Sequence, residues 1–270
     1  LAVSLLVLAM TTKNASFEAS SVFEAPGSPV LQVGEVLEYN VGYAFFHLGR
    51  IIVKIVDRFE RQGQIVYKAR AIIDSAPGLP FVNLHIRFES EFDEELFSYS
   101  WTAEDSSTET VVRRIEFDYD SSRVFVIKGK KQPDGTVAVE KIDTVRITEK
   151  CQDGFSLFYF ARDNVRKKQQ MNVPTFIEKE QVNTFFNFTN ELSDEDIDSV
   201  KYPIEVVEFD GRADFVGVFG LTGGFRGWFS NDEAGVPIVA RMNVILGSIK
   251  VELDRWHRPG WVAPKYIERD

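Results

Sequence analysis

The stretch that decides the fold runs from Gly223 to Leu253 and reads GGFRGWFSNDEAGVPIVARMNVILGSIKVEL. From Ile238 to Leu246 every second residue is apolar, and beyond Gly247 the apolar residues shift to the other parity. Alternation of this kind is typical of a half-buried strand, and a shift at a glycine indicates a bulge, a sharp bend or a tight turn. Because such features let a long sheet curl, the stretch favours a curved antiparallel sheet.

The two adjacent carboxylates in this stretch, Asp232 and Glu233, lie in the segment SNDEAG between two strand-like runs. Asn, Asp and Gly are the residues that hairpin loops prefer. Neighbours on an extended backbone point apart, whereas a catalytic carboxylate pair must face each other across roughly 5–10 Å. We therefore interpret the segment as a hairpin tip.

Outward from this stretch, short runs rich in Val, Ile, Phe and Tyr recur, separated by turn residues. The short connections predict antiparallel pairing between sequential strands. Neither a change in composition nor a repeat of fixed period divides the chain. The predicted organisation is a signal-peptide-like segment at residues 1–19, a linker at 20–33, one β-rich domain at 34–258 and a C-terminal tail at 259–270.

One segment breaks the β pattern, CQDGFSLFYFARDNVRKKQQ at residues 151–170. Phe155, Phe158, Tyr159 and Arg162 recur at helical spacing, and Asp153 stands where an N-cap belongs. The segment predicts a helix of about four turns. The expected fold class is thus all-β with one helix: a single strongly curved antiparallel sheet that forms a barrel-like or spiral structure around, or lidded by, that α-helix.

Composition restricts the classes of partner. The chain carries 41 acidic and 31 basic residues, a net charge of −10. Because phosphate contacts need clustered Lys and Arg, this balance disfavours nucleic acid. The only cysteine, Cys151, cannot form an internal disulfide, and we interpret it as a small, partly buried apolar residue.

The N-terminus begins with the apolar run LAVSLLVLAM, followed by small and polar residues. This is the pattern of a secretory signal, and the run is shorter than the roughly 20 apolar residues that span a bilayer. A buried helix is the alternative, but neither an amphipathic pattern nor a cap accompanies the run. No cysteine follows it, so we expect a periplasmic protein that is exported but not lipid-anchored.

Three segments resemble the bacterial exported family called domain of unknown function 3108. They are GEVLEYNVGYAFFHLGRIIVKI from Gly34, with its Gly-Glu opening, QDGFSLFYFAR on the predicted helix, which ends in Arg162, and FRGWFSNDEAGVPIVARMNVILGSIKVEL from Phe225. The resemblance covers roughly Gly34 to Trp256. It implies a periplasmic protein with a strongly curved, barrel-like or spiral sheet around a helix, and it supplies no catalytic residues.

The sequence gives little support for a metal or cofactor site. Asp194, Asp196, Asp198 and Glu205 match the offsets of a calcium loop, but Ser199 replaces its glycine, which favours a solvated acidic loop. The three histidines stand far apart, so no zinc site is predicted. No cofactor-binding fingerprint occurs. We expect neither cofactor nor metal.

The aromatic content, 23 Phe, 8 Tyr and 4 Trp, suggests an apolar binding site. We place Phe81, Phe158, Tyr159 and Trp228 near its mouth or lid. The leading hypothesis is a non-enzymatic envelope protein that binds a lipid, an acyl chain or an apolar segment of another protein, such as a lipoprotein, within the curved sheet. The alternative is a structural or interaction protein with a filled core and an exposed sheet edge. A third hypothesis is a hydrolase that uses Glu89, Glu91 and Asp232.

Overall fold

The computed structural model describes residues 28–79, 83–107, 110–215, 221–244 and 247–268. In these ranges the chain forms fourteen strands and one α-helix. In chain order they are β1 Val36–Tyr43, β2 Phe46–Arg61, β3 Gln64–Ser75, β4 His85–Asp93, β5 Ser98–Asp105, β6 Val111–Asp118, β7 Arg123–Lys131, β8 Val137–Arg146, α1 Ser156–Asn164, β9 Gln169–Ile177, β10 Glu180–Glu195, β11 Ile204–Ala213, β12 Leu221–Ser230, β13 Pro237–Val244 and β14 Gly247–His257.

All described strands belong to one antiparallel sheet, in the order β8-β7-β6-β5-β4-β3-β2-β1-β14-β13-β12-β11-β10-β9. Strands β1 and β14 meet in the middle, and β8 and β9 form the two edges, so the sheet is not closed by strand pairing. Sequential strands pair with each other everywhere except across α1, which confirms the predicted antiparallel arrangement. The parity shift at Gly247 marks a tight hairpin, since Val244 pairs with Gly247.

The sheet curls around α1. Tyr159 of the helix lies 5.3 Å, ring centroid to ring centroid, from Phe92 of β4, on one side. On the other side, Leu157 and Ala161 belong to a buried cluster with Phe209 of β11. Strands so far apart in the order can contact one helix only if the sheet is strongly curved. We call the face that packs on α1 the inner face and the opposite one the outer face.

The antiparallel topology gives the curled sheet two unlike ends. The segment 147–168 with α1, the hairpin loop 231–236 and the residues after β14 all lie at one end, which we call the helix end. The hairpins at 44–45 and 132–136 lie at the opposite end, which we call the far end. The helix therefore fills one end of the curled sheet.

The structure corrects the predicted helix. Four turns were expected over residues 151–170, but α1 covers Ser156–Asn164 and is followed by β9, which the sequence pattern did not predict. Strand β9 contains Pro174, which a strand accommodates at a sheet edge, where no neighbour needs the missing N–H. The carbonyl of Pro174 accepts a hydrogen bond from the backbone of Gln152 at 2.9 Å. No helix within the described ranges is long and apolar enough to span a bilayer.

Candidate functional site

A buried ion cluster holds the helix end together. Both oxygens of Glu35, just before β1, accept hydrogen bonds from Arg162 of α1, at 2.5 and 2.9 Å. Arg258, after β14, also pairs with Glu35. Burial alone would raise the pKa of Glu35, but the two guanidinium groups lower it below its usual value. The carboxylate is therefore ionised at neutral pH and joins three distant segments.

The hairpin loop 231–236 closes over this cluster. The carbonyl of Ala234 accepts hydrogen bonds from Arg162 Nε and Nη2, at 3.3 and 3.0 Å. Asp232 Oδ1 accepts from the amides of Ala234 and Gly235, and its Oδ2 accepts from Trp261 Nε1 at 2.8 Å. The predicted hairpin tip is confirmed, but Asp232 is part of the packed structure, and of the two carboxylates only Glu233 is exposed.

The start of α1 is anchored by a second buried carboxylate. Asp153 Oδ1 accepts hydrogen bonds from the amides of Phe155 and Ser156, at 2.6 and 2.9 Å, so it performs the predicted capping role. Its Oδ2 accepts from the hydroxyls of Ser90 and Ser98, at 2.5 and 2.7 Å. Burial raises the pKa of Asp153 despite these bonds. The network ties the helix to β4 and β5.

Two tyrosine hydroxyls face the same buried region. The hydroxyl oxygens of Tyr39 and Tyr159 are buried and have no hydrogen-bond partner among the described protein atoms. Burial raises the pKa of both, so both stay protonated at neutral pH. The guanidinium carbon of Arg162 lies 5.5 Å from the centre of the Tyr159 ring. The helix end is thus densely filled by aromatic and charged groups.

Some apolar side chains of the inner face are only partly buried. At the helix end, inward side chains such as Leu37 and Ile55 are at most 1 % exposed. Among buried inner-face residues such as Val41, Ile73 and Ile249, other apolar side chains are only partly buried: Ile51, Ile86, Trp101, Phe225 and Met242. Since an inward-facing residue is partly exposed only where solvent enters the curled sheet, these five define an accessible apolar surface. We call it the inner wall.

Aromatic side chains also project from the far end itself. The β1–β2 hairpin carries Phe45, which is fully exposed, Phe46, which is 65 % exposed, and Tyr43, which is 37 % exposed. Contiguous exposed apolar groups of this kind mark surfaces that contact an apolar partner. The far end therefore carries an apolar rim on the β1–β2 hairpin.

Comparison with known proteins places the chain in a family. The family model described as "Protein of unknown function (DUF3108)" matches residues 38–254. The chain belongs to the DUF3108 family. No curated protein matches it significantly. Among solved structures, the chain is similar to a β-barrel-like protein of the domain of unknown function DUF1849 from Brucella abortus, with 11% identity over 83% of this chain and 95% of that chain and a TM-score of 0.49.

In this DUF3108 protein the predicted ligand-binding residues do not form one group. Phe158 and Tyr159 lie together on α1, with ring centroids 5.1 Å apart, at the filled helix end. Trp228 alternates with Phe229 along β12; because Phe229 faces the helix, Trp228 lies on the outer face, where its Nε1 donates to Glu208 at 3.1 Å. Phe81 lies outside the described residues.

The carboxylates considered for hydrolysis do not converge either. Glu89 and Glu91 lie on the outer face of β4, where both pair with Lys68, at 3.6 and 3.2 Å. Asp232 lies at the helix end, bound to backbone amides and to Trp261. Of the residues at calcium-loop offsets, Asp194 lies in β10 and Glu205 in β11, where the two pair in register, so the predicted acidic loop is shorter and contains only Asp196 and Asp198. Within the described ranges no group of three or more His, Cys, Asp and Glu side chains is placed to hold a metal ion.

The inner wall was only partly predicted. The alternation from Ile238 to Leu246 does assign Met242 to an apolar face, and the structure confirms that this face is the inner one. Trp101 and Ile86 could have been found by the same period-2 pattern. Their partial exposure could not, because it depends on where α1 ends inside the sheet.

Proposed function

We propose that this DUF3108 protein is an exported, non-enzymatic protein of the cell envelope that binds an acyl chain or a similar apolar group against the inner wall. The observation that carries the proposal is the partial exposure of apolar side chains on the inner face. The helix end is filled by α1 and its ion cluster, whereas the inner-face side chains of Ile86, Trp101 and Met242 are partly open to solvent. An apolar chain entering from the far end covers these groups.

The energetics suit such a ligand. Each methylene that leaves water contributes about 0.8 kcal/mol, so a chain that buries about eight of them gains on the order of 6 kcal/mol before ordering costs. The exposed Phe45 and Phe46 at the rim give the chain a first apolar contact. Ligand sites commonly combine an apolar lining with access from one side only.

Binding is tested with a fluorescent fatty-acid probe and two inner-wall variants, Ile86→Gln and Met242→Gln. We expect each to weaken binding about tenfold, because a buried amide in the wall must lose its hydrogen bonds to water. The matched control is Ile72→Gln, since Ile72 is also partly buried but lies on the outer face of β3. If all variants and the wild type bind the probe with equal affinity, the proposal is contradicted.

Export is proposed from the apolar run at residues 1–10, which lies outside the described residues. A reporter enzyme that is active only in the periplasm, fused behind an added Met and residues 1–33, is expected to be active. Replacing Leu5 and Leu6 by Arg, which breaks the apolar run, is expected to abolish that activity. A reporter that stays inactive with the unaltered segment contradicts export by this segment.

The alternative function, interaction through a sheet edge, is favoured by strand β8. This edge strand exposes Val137, Val139 and Ile142, which are 40, 54 and 59 % exposed. An exposed edge can pair with a strand of another chain. A photo-crosslinking residue at position 142 is then expected to capture one defined envelope protein in cells, while Ile86→Gln leaves that adduct unchanged. Absence of an adduct removes this alternative.

A further inference from the structure

Three cations stand directly opposite one another on the inner face. Arg113 of β6 pairs in register with Lys128 of β7, and Lys128 pairs with Lys141 of β8. The same register row continues from Arg113 through Ala103 of β5 to Phe88 of β4, both of which are buried in the core. The row therefore begins in the apolar core and ends, at the β8 edge, in three positive charges.

Opposite neighbours on a sheet have Cβ atoms about 5 Å apart, and like charges in that arrangement are destabilising. Lys141 has a partial compensation, since Asp143 Oδ1 lies 3.2 Å from its Nζ, but Asp143 also binds Lys179 at 2.5 Å. Lys128 and Arg113 form no ion pair with any residue in the described part of the chain. Among the described residues, only Lys141 of this row has an ion-pair partner.

The acidic groups near the row do not match its charge. Asp105 is close enough for Arg113 to contribute to its lowered pKa, although hydrogen bonds from Ser107 contribute more. Among the described residues, Asp105 interacts with Arg113, and Asp143 pairs with both Lys141 and Lys179. This local excess of positive charge stands in a chain whose net charge is −10. A positive patch inside an acidic protein attracts anions selectively to that place.

The row also adjoins the inner wall. Trp101 lies on β5 beside it, with its ring stacked on Phe88 at a centroid distance of 5.5 Å. We infer that the ligand is an anionic amphiphile: its acyl chain lies on the inner wall at Ile86 and Trp101, and its carboxylate or phosphate head group binds Arg113, Lys128 and Lys141. This inference rests on the proposed function and adds the chemical class of the ligand.

Calorimetric titration with three ligands that share one oleoyl chain tests it: oleate, oleoyl lysophosphatidate and the uncharged monoolein. We expect both anions to bind the wild type at least about tenfold more tightly than monoolein at low salt, with the difference shrinking as salt is added. Replacing Arg113, Lys128 and Lys141 by Gln is expected to remove that difference and to leave monoolein binding unchanged.

The control replaces three outward-facing cations, Lys54, Arg87 and Arg114, by Gln, which changes the net charge equally. This variant is expected to keep the preference for anions. If the protein binds oleate more tightly than lysophosphatidate, the head group of its ligand is a carboxylate. If it binds lysophosphatidate more tightly, the head group is a phosphate. Equal binding of all three ligands to the wild type overturns the anionic inference alone, whereas no binding of any ligand, monoolein included, overturns the proposed function with it.

Discussion

The side chain of Arg162 joins three parts of the chain that are far apart in sequence. It binds Glu35 before β1, the carbonyl of Ala234 in the β12–β13 hairpin, and through Glu35 it reaches Arg258 after β14. Breaking a buried ion pair costs far more than breaking an exposed one, because an uncompensated charge stays in the interior. The cluster therefore holds the helix end closed.

Glu35→Leu leaves Arg162 and Arg258 without their shared carboxylate, so we expect the free energy of unfolding to fall by about 3–5 kcal/mol. Arg162→Met is expected to cost less, because Glu35 keeps Arg258 as a partner. Urea denaturation at pH 7 measures both. The control is Arg114→Met, which removes an exposed pair with Glu116 at 2.7 Å and is expected to cost less than about 1 kcal/mol. Losses of equal size in Glu35→Leu and the control would contradict the assigned role.

The same pair makes a pH-dependent contribution. The pKa of Glu35 is lower in the folded protein than its ordinary value of 4.5. Its contribution to stability is therefore complete above that ordinary value and is lost as the pH falls through the folded value. We expect the difference in unfolding free energy between wild type and Glu35→Leu to shrink as urea denaturation is repeated at decreasing pH below 4.5. A difference that stays constant with pH would rule out ionised Glu35 as its source.

The sequence predicts the roles of single residues in this region but not which residues they contact. The position of Asp153 before an apolar periodic run predicts a helix cap, and the structure confirms that role. Glu35 and Arg162 were visible only as parts of two separate segments. Their pairing depends on the curl of the whole sheet, which brings residues 127 positions apart into contact, and no local pattern records it.

Among the elements, β11, β12 and α1 illustrate how closely the aromatic face is packed. A Cβ placed on Gly227 of β12 would lie 2.4 Å from the Phe209 ring and 3.1 Å from the Phe229 ring. Those two rings lie edge to face, with centroids 4.8 Å apart. The absence of a side chain at Gly227 is therefore what lets Phe209 reach its place under the helix.

Gly227→Ala is expected to lower the free energy of unfolding by about 1–3 kcal/mol, because overpacking forces the Phe209 ring to move. Gly154→Ala is the matched control, since its nearest neighbour, Ile177 Cδ1, would lie 3.4 Å away and Gly154 is exposed. We expect the control to change stability by less than about 0.5 kcal/mol. The two variants are compared by thermal and urea unfolding. Equal losses of stability in both would refute the packing argument.

Element boundaries were harder to predict than element types. The aromatic spacing predicts that α1 exists but does not predict its length. The polar residues after Asn164 are equally compatible with the end of a helix and with an edge strand. Strand β9 was missed because QQMNVPTFI shows little alternation and contains Pro174. Only its position at the sheet edge makes that sequence acceptable as a strand.

For the whole molecule, the decisive property is the difference between the two ends and the two faces of one curled sheet. Period-2 alternation predicts that each strand has two faces, so the antiparallel all-β fold follows from the sequence. Which face is inner, and how far α1 fills it, depends on contacts between strands that are remote in sequence. For that reason Trp228 was expected at the binding site and lies on the outer face, while Trp101 lies on the inner wall.

This contrast supplies the most direct measurement of where the ligand binds. Stearate brominated at mid-chain quenches tryptophan fluorescence only on close contact. We expect it to quench part of the wild-type emission on titration, to lose that effect in Trp101→Phe and to keep it in Trp228→Phe. Quenching that persists in Trp101→Phe but vanishes in Trp228→Phe would place the acyl chain on the outer face and contradict the account of the inner wall.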